Sequence, residues 1–447
     1  MSGSTTKQSP LENASASVLL SHGVRGPMDT GSPVDAVLSG LEQTRVWQED
    51  LYRHFHQNPE LSFQEQNTAA EVVRRLKSFG FDVTEGVGGT GVVGILRNGD
   101  GPTVLMRSEI DGLPVKEKTG LSYASTVTAT NLAGEEVPVM HSCGHDVHVT
   151  CLLGASSLLA STQTCWSGSV VALFQPAEEL GEGAQAMVDD GLAKIVGDVS
   201  VALTQHVLPF PSGQVASRSG TVFSTADSMR ITVYGRGSHG SMPQSSVDPV
   251  VLAAMIVVRL QTVVAREIAP TEPAVLTVGS IQSGTKSNII GDHAVLQLNV
   301  RSYNRETRKA VLDAIRRIVT AECEASGSPK PPDFEMYGYF PPTDNDAKTT
   351  ARVRAAFDAL FKDASQDLAL QTASEDFSDI PNGLSIPYTY WGLGGIDPGL
   401  YKKAEAAGRI DQDIPVNHSP LFAPVIQPTL DTGTKALVAA ALAWLGS

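Results

Sequence analysis

Basic residues are in short supply: 33 Lys and Arg stand against 48 Asp and Glu, for a formal net charge of −15. That deficit argues against nucleic acid and anionic membrane surfaces as partners, since both carry the same sign of charge. Cysteine is equally sparse. Cys143, Cys151, Cys165 and Cys323 follow no disulfide-framework spacing, so a reducing compartment, the cytoplasm, is the expected setting. Charged residues are only 18% against 41% hydrophobic, which excludes a disordered chain and leaves ample material for a core. No apolar run is expected to approach the length of a membrane span.

At 447 residues the chain is too long for one ordinary domain. Residues 1–33 are rich in Ser, Gly and Thr, and their only apolar run, Val18-Leu19-Leu20, is too short for a signal-peptide core. They read as a flexible lead-in. Beyond them, segments with helical spacing (34–57, 67–80, 149–161, 183–190) alternate with short apolar strands (91–96, 103–107, 169–174, 199–203). That alternation predicts an α/β domain with a mostly parallel sheet. From residue 216 the order changes to β-α-β-β-α-β, the pattern of a ferredoxin-like unit. The expected layout is a catalytic domain at 34–215 and 342–447, with 216–341 inserted into it.

The chemistry-bearing residues cluster by position. Met140–His148 reads Met-His-Ser-Cys-Gly-His-Asp-Val-His, placing a thiol at Cys143 and imidazoles at His141, His145 and His148. Thiolate and imidazole are the donors that zinc-like ions favour. Glu109 and Asp111 follow one predicted strand, Glu178-Glu179 a second and His206 a third. Ligand sites in open α/β sheets gather at the carboxyl ends of strands, so these segments converge on one edge. Two adjacent carboxylates suit a division of labour, one binding metal and the other accepting a proton from water. His239 projects from a small-residue loop of the inserted unit that allows a close backbone approach, and His418, in a loop near the C-terminus, reads alone as a surface histidine. Residues 387–392 fit either the wall of an apolar acyl pocket or a buried strand.

In order along the chain, His56-Gln57-Asn58-Pro59-Glu60, Met140-His141-Ser142-Cys143-Gly144-His145-Asp146, Gln175-Pro176-Ala177-Glu178-Glu179, Gly237-Ser238-His239-Gly240, Ser287-Asn288-Ile289-Ile290, Ser374-Glu375-Asp376-Phe377 and Asn417-His418-Ser419 resemble the M20 metallopeptidases. Within them the likeness is to the amidohydrolase branch of hippurate and auxin-conjugate hydrolases. The resemblance implies two divalent ions, zinc or manganese, bound by Cys143, His145, Glu179, His206 and His418. It makes Glu178 the general base that activates water between the metals, and His239 the group that stabilises the oxyanion. It also implies that the inserted domain serves as a lid and forms a homodimer. The expected substrate is the amide bond of an N-acyl amino acid or related small amide, with a carboxypeptidase or dipeptidase as the nearest alternative. A metal-free thiol hydrolase built on Cys143 and a non-catalytic binding protein are the rivals from other classes. One departure stands out: Glu109-Ile110-Asp111-Gly112 replaces the family's Asp-x-Asp-Ala. Glu109 is therefore kept out of the ligand set, and Asp111 is expected to orient a ligand.

Overall fold

A computed structural model describes residues 32–446. The expected flexible segment at 1–33 lies outside these, apart from its last two residues. Ser32 caps the helix Pro33–Leu38 by accepting from the Asp35 amide. The single helix expected over 34–57 is two: Pro33–Leu38 and Leu41–Gln57, parted at Ser39-Gly40.

The larger sheet has eight strands in the spatial order Asp82–Val87, Gly91–Asn98, Gly168–Gln175, Thr103–Glu109, Val201–Pro211, Tyr388–Ile396, Val215–Ser217 and Ser365–Asp367. Its four central strands, from Gly168–Gln175 to Tyr388–Ile396, are mutually parallel. Central parallel strands are covered on both faces, which is why they read as unbroken apolar runs rather than alternating ones. Thus Val104, Leu105, Val170 and Val171 are all fully buried, pointing in pairs to opposite faces. On one face pack Leu41–Gln57, His145–Ser161, Ala347–Phe361 and Ile426–Leu445. The other face holds a second core around Leu105, Leu173, Met187, Phe377 and Tyr390.

The helix His145–Ser161 is buried along 14 of its 17 residues, so it is enclosed on all sides and its polar His145, Asp146 and His148 are buried with the apolar side chains. It starts after Gly144, whose φ of +88° and lack of a Cβ are both required: an added Cβ would lie 2.3 Å from Val207 Cγ1. The strand predicted at 199–203 runs much further, as Val201–Pro211, so His206 lies inside a strand rather than beyond its end. Residues 387–392 fall mostly in Tyr388–Ile396, a strand buried at every position. The acyl-pocket reading of that stretch gives way to the buried strand.

The second unit carries the β-α-β-β-α-β order: Thr225–Tyr234, Pro249–Thr262, Ala274–Ser283, His293–Ser302, Arg305–Ala325 and Asp333–Phe340. Its antiparallel sheet orders these strands Ala274–Ser283, His293–Ser302, Thr225–Tyr234, Asp333–Phe340. The apolar run at residues 249–258 is ended by Arg259, short of a membrane span. The whole helix Pro249–Glu267, 19 residues at a mean hydropathy of 1.7, is long and apolar enough by those two measures. It passes because its outer face is apolar too. Leu252, Ala253, Ile256, Leu260 and Val263 pack on the sheet, while Val251 and Val258 are 58% and 66% exposed.

Candidate metal centre

Four segments deliver side chains to the carboxyl edge of the parallel strands. Cys143 and His145 flank Gly144 at the start of their helix, where the positive end of the helix dipole favours anions. Glu178 and Glu179 lie on one 3-10 turn, Glu178–Leu180, following Ala177 at φ +48°. A turn rather than a strand is what lets adjacent carboxylates face one site. A non-glycine residue held at positive φ and fully buried stores strain, a common mark of a functional segment. His206 comes from the sheet, and His418, also at positive φ (+69°), from the C-terminal loop.

Cys143 Sγ lies 3.4 Å from His206 Nε2. His145 Nε2 is 3.8 Å from Glu178 and 3.9 Å from Glu179, and His418 Nε2 is 3.4 Å from the other Glu179 oxygen. Donor atoms of Cys143, Glu179 and His418 lie within 4.8 Å of one another, as do those of His145, Glu178 and Glu179. All six of these side chains meet, and all but the exposed His418 are shielded from solvent. His239 does not join them. It sits exposed on the short strand Ser238–His239 paired with Ile289–Ile290, its Nδ1 2.7 Å from Ser241 Oγ. Among the described residues no hydrogen bond or ion pair links it to the cluster.

The electrostatics call for a cation. Burial pushes the Cys143 thiol well up, and the nearby Glu179 and Glu178 charges add to it. Such a thiol is no nucleophile by itself, which weighs against metal-free cysteine chemistry. Burial and Glu375, then Glu179, push Glu178 well up; burial carries Glu179 up to about 8, opposed by His145. For His145 burial works against the proton, yet the Asp111 hydrogen bond and the charges of Glu109, Asp111 and Glu179 raise it to about 10. The cluster thus holds onto protons that a divalent ion would replace. Two buried atoms aimed into it, His145 Nε2 and Glu179 Oε1, have no hydrogen-bond partner. Orphans of this kind, set among a thiol, imidazoles and carboxylates, fit a metal.

Supporting groups are equally specific. His145 Nδ1 donates to the Asp111 carbonyl at 2.9 Å and lies 3.2 Å from its carboxylate, leaving Nε2 to face the glutamates. Asp111 also accepts from Ser62 Oγ and the Glu179 amide, so one carboxylate aligns two elements of the site. Asp146 turns away to His56, at 2.7 Å. His141 is buried with both ring nitrogens unpartnered, and burial lowers it to about 4, so it stays neutral.

Sequence reasoning missed Arg107. Fully buried, its guanidinium reaches Gln175 (2.8 Å), Glu109 (2.6 Å), Glu375 (2.8 Å) and Asp376 (3.2 Å). Glu375 and Asp376 in turn lie within 4.8 Å of Glu178. The signal was available: an arginine ending the apolar run Thr-Val-Leu-Met must find buried carboxylates.

The fold and cluster together define a metallohydrolase. Residues 105–416 match Peptidase family M20/M25/M40, and the chain belongs to that family. It is 33% identical to thermostable carboxypeptidase 2 of Saccharolobus solfataricus over 85% of this chain and 95% of that one. It is 34% identical to the N-acetyl-L-cysteine deacetylase of Bacillus subtilis over 82% and 84%. Among solved structures, the YxeP protein of Bacillus subtilis, a dinuclear metal-binding peptidase from the M20 family, superposes with a TM-score of 0.72 at 25% identity, covering 90% and 98%. The protein is a metal-dependent hydrolase of amide bonds with the fold of a dinuclear peptidase.

Proposed function

We propose that this chain hydrolyses the amide bond of N-acyl amino acids or related small amides, using two divalent ions, zinc or manganese, held by Cys143, His145, Glu179, His206 and His418. The observation that carries the reading is the convergence of these donors around the orphaned His145 Nε2 and Glu179 Oε1. When bound, the ions polarise the scissile carbonyl and make water easier to deprotonate. Glu178, beside but distinct from the ligand Glu179, takes the proton from water and returns it to the leaving amine. Glu375 and Asp376 keep Glu178 proton-hungry, while Arg107 balances their charge. Similarity to a deacetylase and to a carboxypeptidase supports amide cleavage and leaves the acyl and peptide substrates to be told apart by assay.

A cavity of about 510 Å³ adjoins the Glu178–Leu180 turn, with Phe63, Leu180, Met336, Tyr337 and Tyr339 among its walls. Glu182, Gln185, Asp189 and Asp379 share the lining, so the walls are mixed and their aromatic and aliphatic part suits an acyl group. His239 enters the site either by movement of the inserted domain or from a second copy of the chain. The unpaired edge strand Ala274–Ser283 and the exposed Val251 and Val258 on the neighbouring helix support a homodimer through that domain. A cytoplasmic setting is in keeping with four unpaired cysteines, three of them buried.

The test is a hydrolysis panel of N-acyl amino acids, dipeptides and longer peptides, run on the purified enzyme, after chelation, and after metal is restored. Activity should vanish with chelation, return with zinc or manganese, and favour N-acyl amino acids. Full activity in the metal-stripped enzyme would sink the reading, and preferential release of C-terminal residues from peptides would replace it with an exopeptidase.

A further inference from the structure

We propose that Glu109 and His148, anchored by Arg107, form a positioning relay that sets the ring of His206 at the metal centre. The proposal rests on the reading of Cys143 and His206 as metal ligands. Donor atoms of Glu109, His145, His148 and His206 lie within 4.8 Å of one another, which by composition alone resembles a further metal site. The hydrogen bonds say otherwise. The Val207 amide donates to His148 Nε2 at 2.8 Å, so that nitrogen carries the lone pair. His148 Nδ1 therefore carries the proton and donates it to Glu109 Oε2 at 3.0 Å. Both ring nitrogens are committed, and neither is left for an ion.

What His148 holds is the Val207 N–H, and the carbonyl of the same residue holds His206. His206 Nδ1 donates to the Val207 carbonyl at 2.8 Å, which leaves Nε2 as the lone-pair nitrogen, 3.4 Å from Cys143 Sγ. Asn417 closes the frame by donating to the Val207 carbonyl (3.1 Å) and to the Cys143 carbonyl (3.0 Å). The rings of His148 and His206 meet at 4.5 Å, inclined at 67°. At the far end, Glu109 Oε1 forms an ion pair with Arg107 Nη1 at 2.6 Å, out of hydrogen-bond alignment, and Arg107 is fixed by Gln175, Glu375 and Asp376. Each Glu109 oxygen thus faces one donor. An amide in its place offers a single acceptor to two donors, so Glu109→Gln breaks one end of the chain. His148→Phe keeps a ring and the Arg107–Glu109 pair but removes both relay bonds.

The experiment compares full-length wild type, Glu109→Gln, His148→Phe and the double variant, titrating zinc or manganese against a competing chelator. Wild type should take up two equivalents. Each single variant should bind one equivalent as wild type does and the other about 10- to 100-fold more weakly, the loss expected when support of a ligand histidine is removed. The double variant should lose no more than either single one, because both changes cut the same chain. Wild-type affinity at both equivalents in the single variants overturns the relay, and so do multiplying losses in the double variant. Equal weakening of both equivalents together with a lowered thermal midpoint marks a merely structural role and overturns it too. If Glu109→Gln fails to fold, His148→Phe decides alone. A wild-type chain that takes up no metal overturns the metal reading beneath the relay, an outcome distinct from any of these.

Discussion

Glu178 and Glu179 are neighbours in sequence, and their surroundings assign them different tasks. Glu179 has an unpartnered oxygen beside His145 and a second oxygen facing His418, while Glu178 looks toward Glu375 and Asp376. Replacing Glu178 by Gln should leave metal uptake near normal and lower turnover by about 10²- to 10⁴-fold, the usual contribution of a positioned base. Metal analysis beside a rate measurement checks both halves, and near-normal turnover would remove Glu178 from the role. His56 makes a different prediction, about stability. It is buried between Asp146 (2.7 Å) and Glu117 (3.1 Å). Burial opposes its charge, but those two hydrogen bonds prevail and raise it to about 9. A group raised on folding contributes its full stability below its unfolded pKa, about 6.5, and loses it as pH climbs through the folded value. The wild type's advantage over His56→Gln should therefore be greatest near pH 6, up to about 3 kcal/mol, and fade by about pH 9.5. Thermal midpoints of the two proteins across that range measure it.

At the scale of elements, Gly144 is the hinge on which the site turns. It lets the loop before His145–Ser161 press against Val207, so Cys143 and His145 reach the same edge as His206. Gly144→Ala meets Val207 Cγ1 at 2.3 Å and a φ of +88° at once. It should destabilise the fold by roughly 2–4 kcal/mol and weaken metal binding. Gly191→Ala is the control. It has a similar φ of +87° with nothing within 4 Å, so it should lose about 1–2 kcal/mol and bind metal normally. Calorimetry and a metal titration on the pair separate backbone strain from displacement of the ligands. Most elements were legible as patterns: the alternation of apolar strands with helices, and the switch to β-α-β-β-α-β. Their ends were not. The strand Val201–Pro211 continues through Gln205 and His206 because the parallel neighbour Tyr388–Ile396, nearly 200 residues away, pairs with it. No local propensity announces that.

For the whole molecule, the question is what covers the outer face of helix Pro249–Glu267. Its length and hydropathy fit a bilayer, yet one face is packed on the antiparallel sheet. The homodimer proposed above, joined through this face and the free edge of Ala274–Ser283, would cover both the apolar surface and the open strand. Val251→Lys with Val258→Lys should then give a monomer by light scattering, with the metal centre intact. A double variant that keeps the mass of a dimer would move the interface elsewhere.

The sequence by itself determined the fold class, the inserted unit and the donor types, because apolar periodicity and the chemistry of Cys, His, Glu and Asp are local properties. Cys143, His145, Glu179, His206 and His418, the ligands that the family resemblance implies, lie beside Glu178 in space. Only the tertiary structure decided which groups support them. Arg107, Glu109 and His148 are joined by contacts between segments tens to hundreds of residues apart, and burial alone makes those contacts obligatory. It also separated His239 from the cluster, since the orientation of one domain on another is carried by no stretch of sequence. Around Cys143 the same burial weighs against free-thiolate chemistry: a thiol enclosed among carboxylates is pushed up and favours its protonated form.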